Sequence, residues 1–140
     1  MTSRGLKNNN PLNIRQSGDL FQGEIRPSTD KAFKQFQTPA YGYRAAFVTL
    51  ATYLTRDKRN TIEKIIRAWA PSSENDTDGY ISSVEKYSGV KRDKVLTELS
   101  GEDYVKIVMA MSRVENGVGA NPSDVRAGFN IQNKLKAHLY

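Results

Sequence analysis

Glu115 is the residue whose sequence surroundings point most directly to chemistry. Tyr104 to Glu115 has the spacing of a helix whose apolar stripe is Tyr104, Ile107, Val108, Met111 and Val114. At 100° per residue Glu115 lies about 20° from Tyr104, near the centre of that stripe. Asn116-Gly117 follows at once and stops the helix. An acid is thus set on an apolar face at a helix C-terminus. Burial and a helix C-terminus both favour the protonated form of a carboxyl, and a carboxyl that keeps its proton near neutrality can serve as a general acid. The same position also allows Glu115 to snorkel out of a frayed helix end, or to pair with Arg113, Arg126 or a lysine.

Two polar segments could hold a substrate for such an acid. Asn8, Asn9, Asn10 and Asn13 flank Pro11. Their amides offer both donors and acceptors, as N-acetyl and hydroxyl groups of a sugar require, and they equally suit a capped turn. The segment Pro71 to Tyr80 reads either as a polar loop with a helix cap or as a cleft rim. In the second case Tyr80 stacks on a sugar while Asn75 and Thr77 hydrogen-bond it. Glu24 and Asp30 are candidates for a second carboxylate, although exposed hairpin charge is the better reading of each taken singly.

Several chemistries are excluded. There is no cysteine, and the one histidine is His138, so a histidine-centred triad and a Cys or multi-His zinc site are not expected. No phosphate loop, HExxH or GxSxG occurs. No cofactor and no metal is expected. The net charge of +6 suits a polyanionic partner such as nucleic acid, anionic lipid or acidic cell wall. The lysines and arginines are dispersed without a run of five or six, which argues against a nucleic-acid-binding tail. The longest mostly apolar stretch, Ala45 to Leu54, is too short to span a membrane, and the N-terminal MTSRGLKNNN has no apolar signal core. The expectation is a protein made in the cytoplasm and then virion-associated, or carried to the periplasm or cell wall by a non-Sec route.

The elements that must position these residues are mostly helical. Residues 1–19 are polar and turn-rich. Leu20 to Ile25 and Ala32 to Phe36 alternate as two short strands, with turn residues Pro27 to Asp30 between them, predicting one small β-hairpin. Thr38-Pro39 opens a helix carrying Tyr43, Phe47, Leu50 and Leu54. A second begins near Thr61, buries Ile62, Ile65, Ile66 and Trp69, and stops at Pro71. Trp69 and Phe47 are read as core. Asp76 or Thr77 caps a third, with Tyr80, Ile81 and Val84, ended by Gly89. A short helical piece is expected over Lys91 to Leu99. Ser100 with Asp103 gives the Glu115 helix a partial capping box, and a last helix is expected from Asp124 to Leu139. The predicted fold is mainly α, formally α+β, in one domain over 1–140 whose residues 118–140 form a C-terminal helical extension.

The blocks RGLKNNNPLNIR, FQGE, AFKQFQTPAYGYRAAFVTLATYL, NTIEKIIRAWAPSSENDTDGYISSV and AMSRVENG resemble, in order and spacing, a phage and prophage protein family often labelled as virion structural proteins. A more distant resemblance is to autolysin- and flagellar-type glucosaminidases. In those enzymes a helix ending in a catalytic Glu precedes an Asn-rich block, a β-hairpin, an F-x-x-[YF] run and a TDxxY segment. Here Asn9 to Arg15 looks like the Asn block, Phe33 to Phe36 like the run, and Asn75 to Tyr80 like the Tyr segment. The Glu helix is at the back, where Met109 to Gly117 resembles the ESG helix end of lytic transglycosylases.

The resemblance implies a circularly permuted lysozyme-like domain that cleaves the β-1,4 glycan bond of peptidoglycan. In it Glu115 is the general acid, and Asn9, Asn10, Asn13 and Tyr80 line the cleft. A non-catalytic virion, baseplate or wall-binding protein of the same shape is the alternative. The implied partners are peptidoglycan glycan strands and phage or secretion-machine proteins; neither nucleic acid nor membrane is expected, and the chain is expected to be a monomer.

Overall fold

A computed structural model describes residues 2–136. The order is α1 (Arg4–Lys7), β1 (Glu24–Ile25), β2 (Gln35–Phe36), α2 (Pro39–Thr55), α3 (Ile62–Trp69), α4 (Thr77–Ser88), α5 (Gly101–Asn116) and α6 (Pro122–Ile131). The fold is mainly helical with a small antiparallel sheet, as the sequence predicts. No helix among the described residues is long and apolar enough to cross a membrane.

The helix starts follow local chemistry. Thr38 accepts from the Tyr41 N–H with Pro39 in the first turn, Thr61 accepts from Lys64, and Asp76 accepts from Gly79. Asn121 caps α6 by accepting from both Ser123 and Asp124. Gly89 and Gly117 close α4 and α5 in the left-handed conformation, both at φ 72°. The sheet is minimal: Glu24 opposes Phe36 and Ile25 opposes Gln35, with one further bridge from Arg15 to Phe33.

α5 touches α1, α2, α4 and α6, so the helix that carries Glu115 runs through the middle of the packing. Its Tyr104, Ile107, Val108 and Met111 are fully buried against Phe47 and Leu50 of α2, Ile65 and Ile66 of α3, and Ile81 and Val84 of α4 in one cluster. Phe47 meets Phe129 of α6 edge to face at 5.2 Å, as expected of a core residue. A Cβ at Gly128 would lie 2.7 Å from both the Ala40 carbonyl and Tyr43 Cβ, so α2 and α6 cross at backbone contact.

Five local expectations are corrected. Arg4–Lys7 forms a helical turn, capped by Ser3, inside the stretch read as turns. Lys91 to Leu99 is not helical: its groups bond outward, Glu63 N–H to the Arg92 carbonyl and Leu96 N–H to the Asn60 carbonyl, which seats Leu96 in the core. The Ser100 capping box does not form, because the Ser100 hydroxyl accepts from Thr97 and Asp103 pairs with Lys94 at 2.7 Å. Trp69 is only half-buried, against the edge of the core. The last helix ends at Ile131, not Leu139. There Gln132 turns extended, its side-chain amide oxygen Oε1 accepts from the Lys134 and Leu135 N–H groups, and Leu135 folds back into the core. His138 and Leu139 lie outside the described residues.

Candidate functional site

Glu115 sits in the last turn of α5, half-buried, at the wall of a cavity of about 420 Å³. Its Oε1 accepts from Asn13 Nδ2 at 2.8 Å and its Oε2 accepts from the Tyr80 hydroxyl at 2.8 Å. Both donors precede Glu115 in sequence, by 102 and 35 residues. The carboxyl therefore crowns the apolar stripe as its helical phase requires, but a polar grip replaces apolar surroundings. Glu115 forms no ion pair among the described residues. The cations that could have neutralised it are elsewhere: Arg126 makes two bonds to Glu102 at 2.7 and 2.8 Å, and the Arg113 guanidinium lies 4.3 Å over the Tyr87 ring.

Tyr80 is 8% exposed. Burial, reinforced by the adjacent Glu115 carboxyl, pushes its phenol well above the usual tyrosine range, so it remains a donor at any physiological pH. α4 presents it because Asp76 caps the helix and sets the phase. Asp76, Gly79, Tyr80 and Ser83 then fall on one face at helical spacing, and all four line the cavity with Asn75 and Val114.

Asn13 reaches Glu115 because the N-terminal segment is tied to the end of α5. Ser3 Oγ donates to Asn116 Oδ1 at 2.6 Å, and Asn116 Nδ2 donates to the Pro11 carbonyl at 2.8 Å. Asn13 adopts a left-handed φ of 55°, which Asn tolerates better than most residues. The tie is tight: a Cβ on Gly5 would lie 2.8 Å from Asn13 Oδ1 and 3.0 Å from Asn116 Oδ1.

The remaining sequence candidates separate into rim and scaffold. Asn75 stands on the rim, its amide donating to the Pro71 carbonyl at 3.2 Å. Thr77 is buried and its hydroxyl donates to the Ala70 carbonyl, so it ties the loop rather than facing the cavity. Asn10 is fully buried and holds the backbone of Ile14 and Lys34; Asn9 donates to the carbonyls of Phe36 and Gln37. Both brace the turn that presents Asn13.

Glu24 and Asp30 are held away from Glu115 by their own partners. Glu24, with a side chain 3% exposed, pairs with buried Lys34 at 3.0 Å and with Arg26 at 2.9 Å. Burial would raise its pKa, but hydrogen bonds from Arg26, the Phe21 N–H and Lys34 together hold it below the usual carboxylate range. Asp30 is gripped by Arg4 at 2.6 and 2.7 Å, with further bonds from Asn8 and the Ala32 and Phe33 N–H groups, and these keep it far below the ordinary Asp value. The carboxylate that does share the Glu115 cavity is Asp76, with Ser83 beside it. Both were legible as the i−4 and i+3 neighbours of Tyr80 on α4. No group of three or more His, Cys, Asp or Glu among the described residues is placed to hold a metal ion.

No family model matches the chain. It is 39% identical over 133 residues to Protein P5 of Pseudoalteromonas phage PM2, an alignment that covers 91% of this chain and 80% of that protein.

Proposed function

The chain belongs to the phage protein family that includes Protein P5 of phage PM2, and we propose that it cleaves the β-1,4 glycan bond of peptidoglycan with Glu115 as general acid. The observation that carries this reading is the grip on Glu115: one carboxyl oxygen on Asn13, the other on Tyr80, at the wall of a cavity. Each carboxyl oxygen offers two acceptor sites, so one hydrogen bond on each fixes the group and still leaves a site for a proton. Held this way, Glu115 hands its proton to the glycosidic oxygen as the bond to C1 breaks. Where Glu115 acts alone, it then takes a proton back from the attacking hydroxyl.

Two outcomes differ in what attacks C1. In a lytic transglycosylase the sugar's own hydroxyl attacks, Glu115 alone suffices, and an anhydro end forms. In a hydrolase water attacks from the opposite face, and a second carboxylate activates it. Asp76 is the group in the cavity able to do so; Glu24 and Asp30 are committed to Lys34, Arg26 and Arg4. The contact between the Asn block and the end of α5 fits a circularly permuted lysozyme-like arrangement, in which the acid helix precedes that block in space although it follows it in sequence. The net charge of +6 supports adsorption to an acidic wall. Virion association and delivery to the wall form part of the same proposal.

Digesting purified peptidoglycan with the full chain and identifying the products by mass spectrometry tests the reading. Anhydro ends support the transglycosylase and new reducing ends the hydrolase. Intact strands after prolonged incubation refute cleavage and leave a virion structural or wall-binding role, in which the Asn13–Glu115–Tyr80 bonds serve as a clasp between α4, α5 and the N-terminal segment.

A further inference from the structure

A second depression lies beside the first. Asn13, Ile14, Arg15, Thr49, Tyr53 and Trp69 enclose about 180 Å³ between α2, α3 and the N-terminal turn. Asn13 belongs to this wall and also donates to Glu115, which belongs to the wall of the larger cavity. The Asn13–Glu115 hydrogen bond thus joins the two walls, one residue lining each depression.

Its lining has a mixed character that core packing does not require. The other large apolar residues of α3, Ile62, Ile65 and Ile66, are fully buried, yet Trp69, the bulkiest, is left half-exposed at the helix end before Pro71. Its ring meets Tyr53 edge to face at 6.1 Å and 70°. The Arg59 guanidinium lies 4.7 Å over the Tyr53 ring and stiffens the pair. Exposed Arg15, its guanidinium 5.1 Å over the Phe33 ring, and Asn13, which donates to Glu115, complete the polar part of the lining. Aromatic faces suit the C–H face of a sugar, and amide and guanidinium groups suit its hydroxyl and N-acetyl oxygens. The volume falls below the roughly 300–1,000 Å³ of pockets that take drug-sized ligands, which fits one ring rather than several.

We infer that this depression is a second saccharide subsite, taking one N-acetylated pyranose ring of the same glycan strand on the far side of Glu115 from Tyr80 and Asn75. This rests on the reading of the Glu115 cavity as a glycan-cleaving site. A strand lying across the Asn13–Glu115 bond then places rings on both sides of the acid, so cleavage falls at internal bonds rather than at chain ends.

Trp69 is the one tryptophan of the chain, so its emission reports this depression directly and independently of turnover. The full chain carrying Glu115→Gln is titrated with chitohexaose, a soluble β-1,4 N-acetylglucosamine oligomer, while tryptophan emission and calorimetric heat are followed. The expected result is a saturable change in emission with the same midpoint as the heat. Arg15→Ala, at an exposed position, and Trp69→Phe, followed by heat alone, should each weaken binding by about 3- to 10-fold. Emission that stays flat while heat saturates overturns the subsite, because the sugar then binds elsewhere. Flat emission with no heat also overturns it, and peptidoglycan digestion by the wild-type chain then decides separately whether the Glu115 reading stands. Affinity unchanged in both variants overturns it as well.

Discussion

At the scale of single residues, the two donors to Glu115 make separable contributions. Tyr80→Phe keeps the buried ring and removes the phenolic donor. Urea unfolding should show a loss of about 0.5–1.5 kcal/mol, the usual net worth of an intramolecular hydrogen bond, and lysis should slow because one carboxyl oxygen is released. A Tyr80→Phe chain of unchanged stability and activity would remove the grip from the account. Asp76→Asn tests the second carboxylate. If the products carry reducing ends, the substitution should lower turnover by about 10²–10⁴-fold, the range for a positioned acid or base. If they carry anhydro ends, turnover should be nearly unaffected. Glu115 was legible in the sequence because helical phase and the Asn-Gly stop fix where a side chain at that position points. Its partners were legible only in part. Asn13 stood among four asparagines of identical chemistry, and nothing local says that Asn9 and Asn10 hold backbone carbonyls while Asn13 donates to Glu115; Asn9 and Asn13 even share a left-handed φ.

At the scale of elements, the hairpin and the N-terminal turn are scaffolds held by charge and close approach. Lys34 is 1% exposed and pairs with Glu24. Lys34→Met removes one of the two cations paired with buried Glu24, leaving Arg26, and should cost about 1–3 kcal/mol in denaturant unfolding. Glu24 and Asp30 both have folded pKa values below their ordinary ones. The stabilisation they give is therefore complete above the unfolded carboxyl range of about 4, and it is lost as pH falls through the lower folded values. An acid titration by circular dichroism should be level down to about pH 4.5 and fall below about 4, and Glu24→Gln should remove part of the fall. Gly5→Ala is the element-scale test of the tie: its methyl meets the Asn10 carbonyl as well as the Asn13 and Asn116 side chains, so stability and activity should both drop. Helix starts and stops were readable because caps, prolines and glycines act locally. Lys91 to Leu99 and the end of α6 were not, because long-range backbone bonds to Asn60, Glu63 and Glu98 and the Gln132 side chain decide them.

At the scale of the whole molecule, a basic net charge accompanies a carboxyl, Glu115, that is gripped from the N-terminal segment by Asn13. With a net charge of +6, adsorption to cell walls should weaken steeply as salt rises from 0.05 to about 0.5 M, since the Debye length shrinks to a few ångström; salt-independent adsorption would point to a recognition surface other than charge. The all-helical bulk and the single hairpin were legible from hydrophobic periodicity. The closure that brings residues 3–13 onto residues 115 and 116 was expected only from the order of blocks in the resemblance to glucosaminidases, because no pattern within either segment encodes the other. The most direct measurement is peptidoglycan release by the wild-type chain and by Glu115→Gln at matched concentration, with thermal unfolding to establish that both are folded. The account predicts that the wild-type chain solubilises wall and that Gln at 115 slows release by about 10²–10⁴-fold with the unfolding transition retained. Release by the folded Gln variant at the wild-type rate would contradict it.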